Sequence, residues 1–310
     1  MTSENFDAFP TFATMLTIDP KEIKTGQLHA HMLSAIAPRP IAFASTIDKD
    51  GTPNLSPYSF FNAFGSKPPT LIFSPARRVR DNTIKHTLEN VYETMEVVIN
   101  VVSYPMVQQV SLSSCEFPKG ISEFEKAGFT PIASQLVKPF RVKESPVQFE
   151  CKVKQVIETG TEGGAGNLIV CEILLMHVNE DVLDENGRID QNKIDLVARC
   201  GYDWYCRASG PALFEVAKPN LKLGIGIDNI PDEIKHSEVL TGNDLGQLGN
   251  VEAVPNYEEV QAFAQIPEIV RLMESLDENR DHRKLALHLA AKELIKAGKV
   301  TDAWKLLLLF

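Results

Sequence analysis

A chain of 310 residues with 44% apolar and 23% charged side chains has ordinary globular composition, enough for one large domain or two modest ones, and this excludes fibrous and disordered folds. Its net charge of −10 argues against a surface built for phosphate backbones, so nucleic acid is not an expected partner. Apolar runs such as 173–176 and 306–310 fall far short of the ~20 residues of a membrane span, and no membrane partner is expected.

Met1 to Pro10 carries two acids and no basic cluster ahead of an apolar core, which is not a secretory pattern, so a cytoplasmic protein is expected. Five cysteines (Cys115, Cys151, Cys171, Cys200, Cys206), an odd number without close pairs, fit reduced thiols. Zinc is disfavoured. The one close histidine pair, His29 and His31, would share a face on a strand but has no third ligand nearby, and it reads as structural or solvated.

In chain order, residues 40–47 (PIAFASTI) read as a strand and 48–51 (DKDG) as a hairpin turn. Residues 54–62 (NLSPYSFFN) mix turn formers with aromatics, as expected of a ligand-facing loop. Pro68 and Pro69 enforce an extended entry into a short strand at 70–74. Asp81 or Asn82 is expected to cap a helix carrying Ile84, Leu88 and Val91, and residues 95–102 return to strand. Between 103 and 129 short helices and loops are expected. Val147, Phe149, Cys151 and Val153 alternate with polar residues as in a half-buried strand, and 168–178 form a second one.

The glycines at 163–166 lie between those strands, and because a strand rather than a helix follows, they read as a hairpin turn and not a phosphate cradle. Residues 223–228 (LGIGID) resemble a dinucleotide fingerprint but lack its third glycine, and Pro231 comes too soon for its helix. After about Lys218 the composition changes, and three helices are expected at 257–276, 281–297 and 301–310. The second of these would pack an apolar face of Leu285, Leu289, Ala290 and Leu294.

One stretch carries chemistry. Asn54, Ser56, Tyr58, Ser59, Phe60, Phe61 and Asn62 are followed by Ser74, Arg77, Arg78 and Arg80, and then by Asp81, Asn82 and Thr83. Amides and hydroxyls suit the polar edge of a planar heterocycle, aromatics its face, and arginines with a helix N-terminus a phosphate. The competing reading makes the arginine run a solvated turn and the phenylalanines core.

These residues also resemble a known family. The segments 38–41 (PRPI), 50–51, 54–62, 68–69, 74–77 (SPAR) and 81–83 (DNT), then 98–100, the strand ending in His177 and 196–202 (LVARCGY), match in order the flavin reductase-like family that includes flavoredoxin-type proteins. Over roughly 33–207 the resemblance implies a mainly β fold with added helices: an FMN-binding split β-barrel, homodimeric, with the flavin near the subunit interface. It makes Asn54, Ser59 and Asn62 candidate polar flavin contacts, with Ser56, Tyr58 and Phe61 in the same segment. Arg77 and Thr83 fall on the phosphate side with Ser74, Arg80 and Asn82. His177 is either a ring contact or a strand histidine satisfied by backbone.

The implied activity is reduction of FMN by hydride from NAD(P)H bound transiently, with no catalytic residue required, the electrons passing to free flavin or a protein acceptor. The alternatives are an electron-transfer flavoprotein reduced by a protein partner, and a flavin-binding module without redox turnover. The expected domains are 1–216 for the barrel and 217–310 for a C-terminal extension, helical towards its end. That extension is either a packing appendage or a lid or docking surface.

Overall fold

The computed structural model of the chain describes residues 15–216, 219 and 223–310. The reading of Met1 to Pro10 as lacking a secretory signal and the composition change at Lys218 lie outside the described residues. The chain divides into two compact units, Met1–Phe214 and Glu215–Phe310.

The first unit is mainly β. Strand β1 (Ala42–Ile47) returns through the expected turn onto β2 (Pro53–Tyr58). The turn closes because Asp48 Oδ1 accepts from the N–H groups of Asp50 (3.0 Å) and Thr52 (2.8 Å), while Gly51 takes a φ of 89°. Of the loop expected at 54–62, residues 54–58 and 61–62 are strand, which leaves Ser59 and Phe60 as the link. Turn-forming residues mislead here because β2 is an edge strand, where Pro57 sacrifices no ladder hydrogen bond on its open side.

The other strands are β3 (Phe61–Ser66), β4 (Pro69–Phe73), β5 (Glu96–Val101), the short pair β6 (Pro131–Ile132) and β7 (Arg141–Val142), the long β8 (Val147–Glu158) and β9 (Asn167–Val178), and the hairpin β10 (Leu196–Arg199) with β11 (Tyr205–Ala208). Seven of them form one antiparallel sheet in the order β2-β1-β5-β8-β9-β4-β3. Its two edges, β2 and β3, are joined only by Ser59 and Phe60, a link that spans about 10 Å at full extension. The sheet must curl until its edges nearly meet without pairing, which makes an incompletely closed barrel.

Both faces of β1 are buried, its polar Ser45 and Thr46 included. Ala42 and Ala44 join a cluster with Phe73, Ile99 and Ile169, covered by α2 (His86–Thr94) through Leu88 and Val91. Phe43 faces a second cluster with Leu55, Val110 and Phe124, supplied by α3 (Val107–Leu112) and α4 (Glu123–Ala127). Helix α1 (Thr25–Ala35) precedes the sheet, and the short α5 (Gln191–Ile194) precedes β10. The histidines 29 and 31 sit on α1 and not on a strand. Residues two apart on a helix face different ways, so the pair is no ligand set.

A further correction concerns α2. It starts at His86 behind Lys85, four residues after the expected cap, because Asp81 Oδ1 is spent on Thr83 N (3.1 Å) and Thr83 Oγ1 (2.6 Å), a local turn that competes with helix.

The second unit is helical: α6 (Asp232–Lys235), α7 (Gly242–Gly249), α8 (Tyr257–Ala264), α9 (Pro267–Ser275), α10 (Arg280–Lys296) and α11 (Val300–Leu307). The single helix expected at 257–276 is two, because Pro267 lacks an N–H and opens a new helix. On α10 the buried stripe is Leu287, Ala291 and Ile295 with His288, while Leu285 and Leu289 are exposed. The expected face is therefore corrected in half, since Ala290 and Leu294 pack against the core but Leu285 and Leu289 do not: Trp304 of α11 fills that core and donates from Nε1 to the Leu248 carbonyl at 2.9 Å.

Candidate functional site

The link between the barrel edges places the site. The Phe60 carbonyl accepts from Ser74 N at 2.9 Å, and from Ser74 the chain runs irregularly to Lys85. In that run Asn82 adopts φ 55°, held by Arg77, whose Nε donates to Asn82 Oδ1 and whose second guanidinium nitrogen donates to the Asn82 carbonyl, each at 2.7 Å. The turn between β8 and β9 is laced to the same run: Arg77 N donates to the Ala165 carbonyl (2.9 Å) and Gly164 N to the Arg77 carbonyl (3.0 Å). Gly163 is needed there, since a Cβ would stand 3.0 Å from the Val79 carbonyl oxygen and 3.1 Å from that of Arg78. The expected hairpin turn is thus present, and it also forms a wall.

Helix α1, this run and the β8–β9 turn line a cavity of about 820 Å³. Leu28, Met32, Phe60, Val79 and Leu168 make its apolar part; Arg77, Arg78, Arg80 and Lys85 supply cations. Glu116, in the loop after α3, faces those cations. Its Oε1 lies 2.8 Å from both Arg78 Nε and Lys85 Nζ, and its Oε2 meets the Arg80 guanidinium. Hydrogen bonds from Lys85 and Arg78 hold the Glu116 carboxyl at a pKa of about 2, so it is ionised at any ordinary pH. Arg78 is fixed further by Thr83 Oγ1 (2.9 Å) and the Ile84 carbonyl.

Of the residues singled out in the sequence, Phe60, Ser74, Arg77, Arg78 and Arg80 line this cavity, and Asn82 and Thr83 hold its arginines. Asn54, Ser56 and Tyr58 line a separate cleft of about 30 Å³ that shares Arg78, Lys85 and Glu116 with the cavity. Their polar groups are partly spent: Asn54 Nδ2 and the Tyr58 hydroxyl both donate to Thr87 Oγ1 at 2.8 Å. Burial pushes the Tyr58 phenol up to about 12, so it acts as a donor throughout. Ser59, Phe61, Asn62 and His177 do not line the cavity. Ser59 Oγ accepts from Arg39 Nε at 3.4 Å, Phe61 packs on the core, and Asn62 Oδ1 accepts from Ala63 N at 2.8 Å. His177 Nε2 is 2.7 Å from Glu150 Oε1.

Sequence reasoning missed Glu116, Lys85 and α1. Glu116 reaches its partners across 31 to 38 residues of chain, a separation that leaves no periodic signal. Among the described residues no group of three or more His, Cys, Asp or Glu could hold a metal ion, and all five cysteines are free. No helix among them is long and apolar enough to cross a membrane. An apolar slot with a cationic end fits a planar ring carrying a phosphate. On its β9 side, Asn167, between the lining residues Gly166 and Leu168, keeps a buried Oδ1 without a partner.

Curled sheet and cavity together define a split-barrel protein of the flavin-binding reductase class. Residues 33–193 match the sequence model of the flavin reductase like domain, and the chain belongs to that family. A protein of Aquifex aeolicus (strain VF5) is 39% identical over 196 residues, 63% of this chain and 97% of its own length. The crystal structure of nitrilotriacetate monooxygenase component B from Bacillus cereus superposes with a TM-score of 0.61 at 28% identity, covering 65% of this chain and 98% of that one. A protein with a split barrel domain from Shewanella frigidimarina NCIMB 400 does so at 0.54 and 26%, covering 64% and 96%. The family match ends before the second unit begins.

Proposed function

We propose that the chain is an FMN flavoprotein that takes reducing equivalents from NAD(P)H, with the flavin phosphate at the basic end of the cavity and the ring against its apolar wall. The observation that carries this is the cavity itself: Arg78, Arg80 and Lys85, gathered on Glu116, line it together with Arg77 and with the apolar Phe60, Met32 and Leu168. Bound flavin supplies the two-electron chemistry, accepting hydride from a nicotinamide and passing electrons onward. The chain's residues bind and orient. Arg78 and Lys85 would hold the phosphate, Asn82 and Thr83 keep the guanidinium groups of Arg77 and Arg78 in place, and Ser74, whose Oγ accepts from Asn167 N at 3.0 Å, lines the cavity.

FMN is favoured over FAD because one basic cluster serves one terminal phosphate. Residues 1–216 form the flavin unit in this reading, and 217–310 an appendage outside the chemistry. The setting is the cytoplasm. The acceptor is free flavin or a protein.

The test is purification, flavin extraction and anaerobic stopped-flow mixing with NADH and NADPH. FMN should be the dominant released flavin, and one pyridine nucleotide should bleach its absorbance. FAD as the main species refutes the cofactor assignment. FMN that neither nucleotide bleaches refutes the reductase and leaves an electron-transfer or binding role.

The protein is also expected to be a homodimer. Edge strand β3 exposes Phe64 (63%), and the turn between β10 and β11 exposes Tyr202 and Trp204 (72% and 74%), apolar area of the kind a partner subunit covers. Light scattering should give twice 34.4 kDa; a flavin-loaded monomer contradicts it.

A further inference from the structure

The cations assigned to the flavin phosphate are not waiting for it. Arg78, Arg80 and Lys85 already share one anion, the Glu116 carboxylate, which lies within hydrogen-bond distance of all three. The same four side chains line the cavity, and three of them (Arg78, Lys85 and Glu116) also line the small cleft that holds Asn54, Ser56 and Tyr58. Glu116 with its partners is therefore a partition of charged groups between the two spaces.

Resting on the FMN reading above, we infer that Glu116 is the residue that sets affinity and selectivity at the anion end, an internal carboxylate that competes with the ligand's phosphate for Arg78, Arg80 and Lys85. The physical argument has two branches with one sign. If Glu116 stays when a phosphate arrives, a carboxylate and a dianion stand side by side on the same cations and repel each other. If Glu116 leaves, its bonds to three cations are broken before those to phosphate are gained. Either way binding costs more than in a cradle without the carboxylate.

The cradle itself does not depend on Glu116. Arg78 remains anchored by Thr83 Oγ1 and the Ile84 carbonyl, and Arg80 by Asp81 at 3.1 Å. The competition favours ligands with enough negative charge to displace one carboxylate. A flavin monophosphate meets that condition, and riboflavin gains nothing from the cations.

The experiment is a pair of fluorescence titrations, FMN and riboflavin, against the full-length parent, Glu116→Gln and Glu116→Asp, with thermal melts of each. Gln keeps an oxygen for Arg78 and Lys85 and removes the charge. E116Q should bind FMN on the order of tenfold more tightly, with riboflavin changed by less than about twofold, and E116D should stay near the parent because the charge is kept. FMN affinity in E116Q that is unchanged or weaker overturns the inference alone, since the parent's FMN binding would still stand. Equal tightening of both flavins also overturns it, placing Glu116 at the ring or in loop packing. FMN binding to neither parent nor variant overturns the flavin reading and the inference with it.

Discussion

An Arg78→Ala variant is expected to bind FMN at least about tenfold more weakly than the parent, while riboflavin affinity changes little. Among the arginines of the cavity, Arg78 is the prepared one. Its side chain is 15% exposed and held by Thr83 Oγ1, the Ile84 carbonyl and Glu116, so a phosphate meets a guanidinium whose rotamer is already fixed. Arg77 is different, because its guanidinium secures Asn82 in the left-handed region. Arg77→Ala should release the 74–85 run and weaken both flavins together. Arg80, 69% exposed, should matter least, since solvent and salt screen a charge placed there. Titrations of the three variants with both flavins check the ranking. A selective FMN loss in Arg77→Ala with none in Arg78→Ala would reverse the assignment.

The second large effect is on stability. Glu150 is fully buried and accepts from Gln135 N (2.8 Å), Leu136 N (2.6 Å) and His177 Nε2 (2.7 Å), with Arg141 at 3.8 Å. Glu150→Ala removes the acceptor of three donors that are only partly buried, since Gln135 and Leu136 are exposed residues, and should cost about 1–3 kcal/mol, a fall in Tm of roughly 2–12 °C for a unit of this size. The pH dependence follows. Burial alone would raise the Glu150 pKa, but the two backbone N–H donors and His177 outweigh it, and the carboxyl sits below its ordinary value. A carboxyl with a lowered folded pKa stabilises fully above its unfolded value of about 4.3 and loses that contribution as pH falls through the folded value. Thermal melts between pH 3 and 7 should therefore show the parent losing stability at the acid end, with a shallower slope for Glu150→Ala. His177→Gln, which retains a donor to Glu150, should recover most of the stability and leave FMN affinity near the parent. A selective loss of FMN binding in that variant would return His177 to the flavin ring, one of the two roles its sequence allows.

Strands and hairpins were legible in the sequence because their signals are local. The period of two in residues 147–153, the Asp48 turn with Gly51, and the glycines at 163–166 each act within a few residues of chain, although the strand is not half-buried as expected, since Gln148 and Glu150 on its polar face are buried. The family was legible because short motifs keep their order whatever the packing.

Tertiary structure decided what lies opposite what. Residues 54–58 became strand because β1 was available to pair with them, and the helix expected from Asp81 was displaced because its carboxylate found Thr83 first. Leu287, not Leu285, entered the helical core because Trp304 lay on that side. The cavity needed α1 and the β8–β9 turn, separated by over a hundred residues, to face the arginine run, and Glu116 reached those arginines from another loop altogether. Such encounters are set by how a curled sheet brings its edges and turns together, and they leave no trace in local sequence pattern.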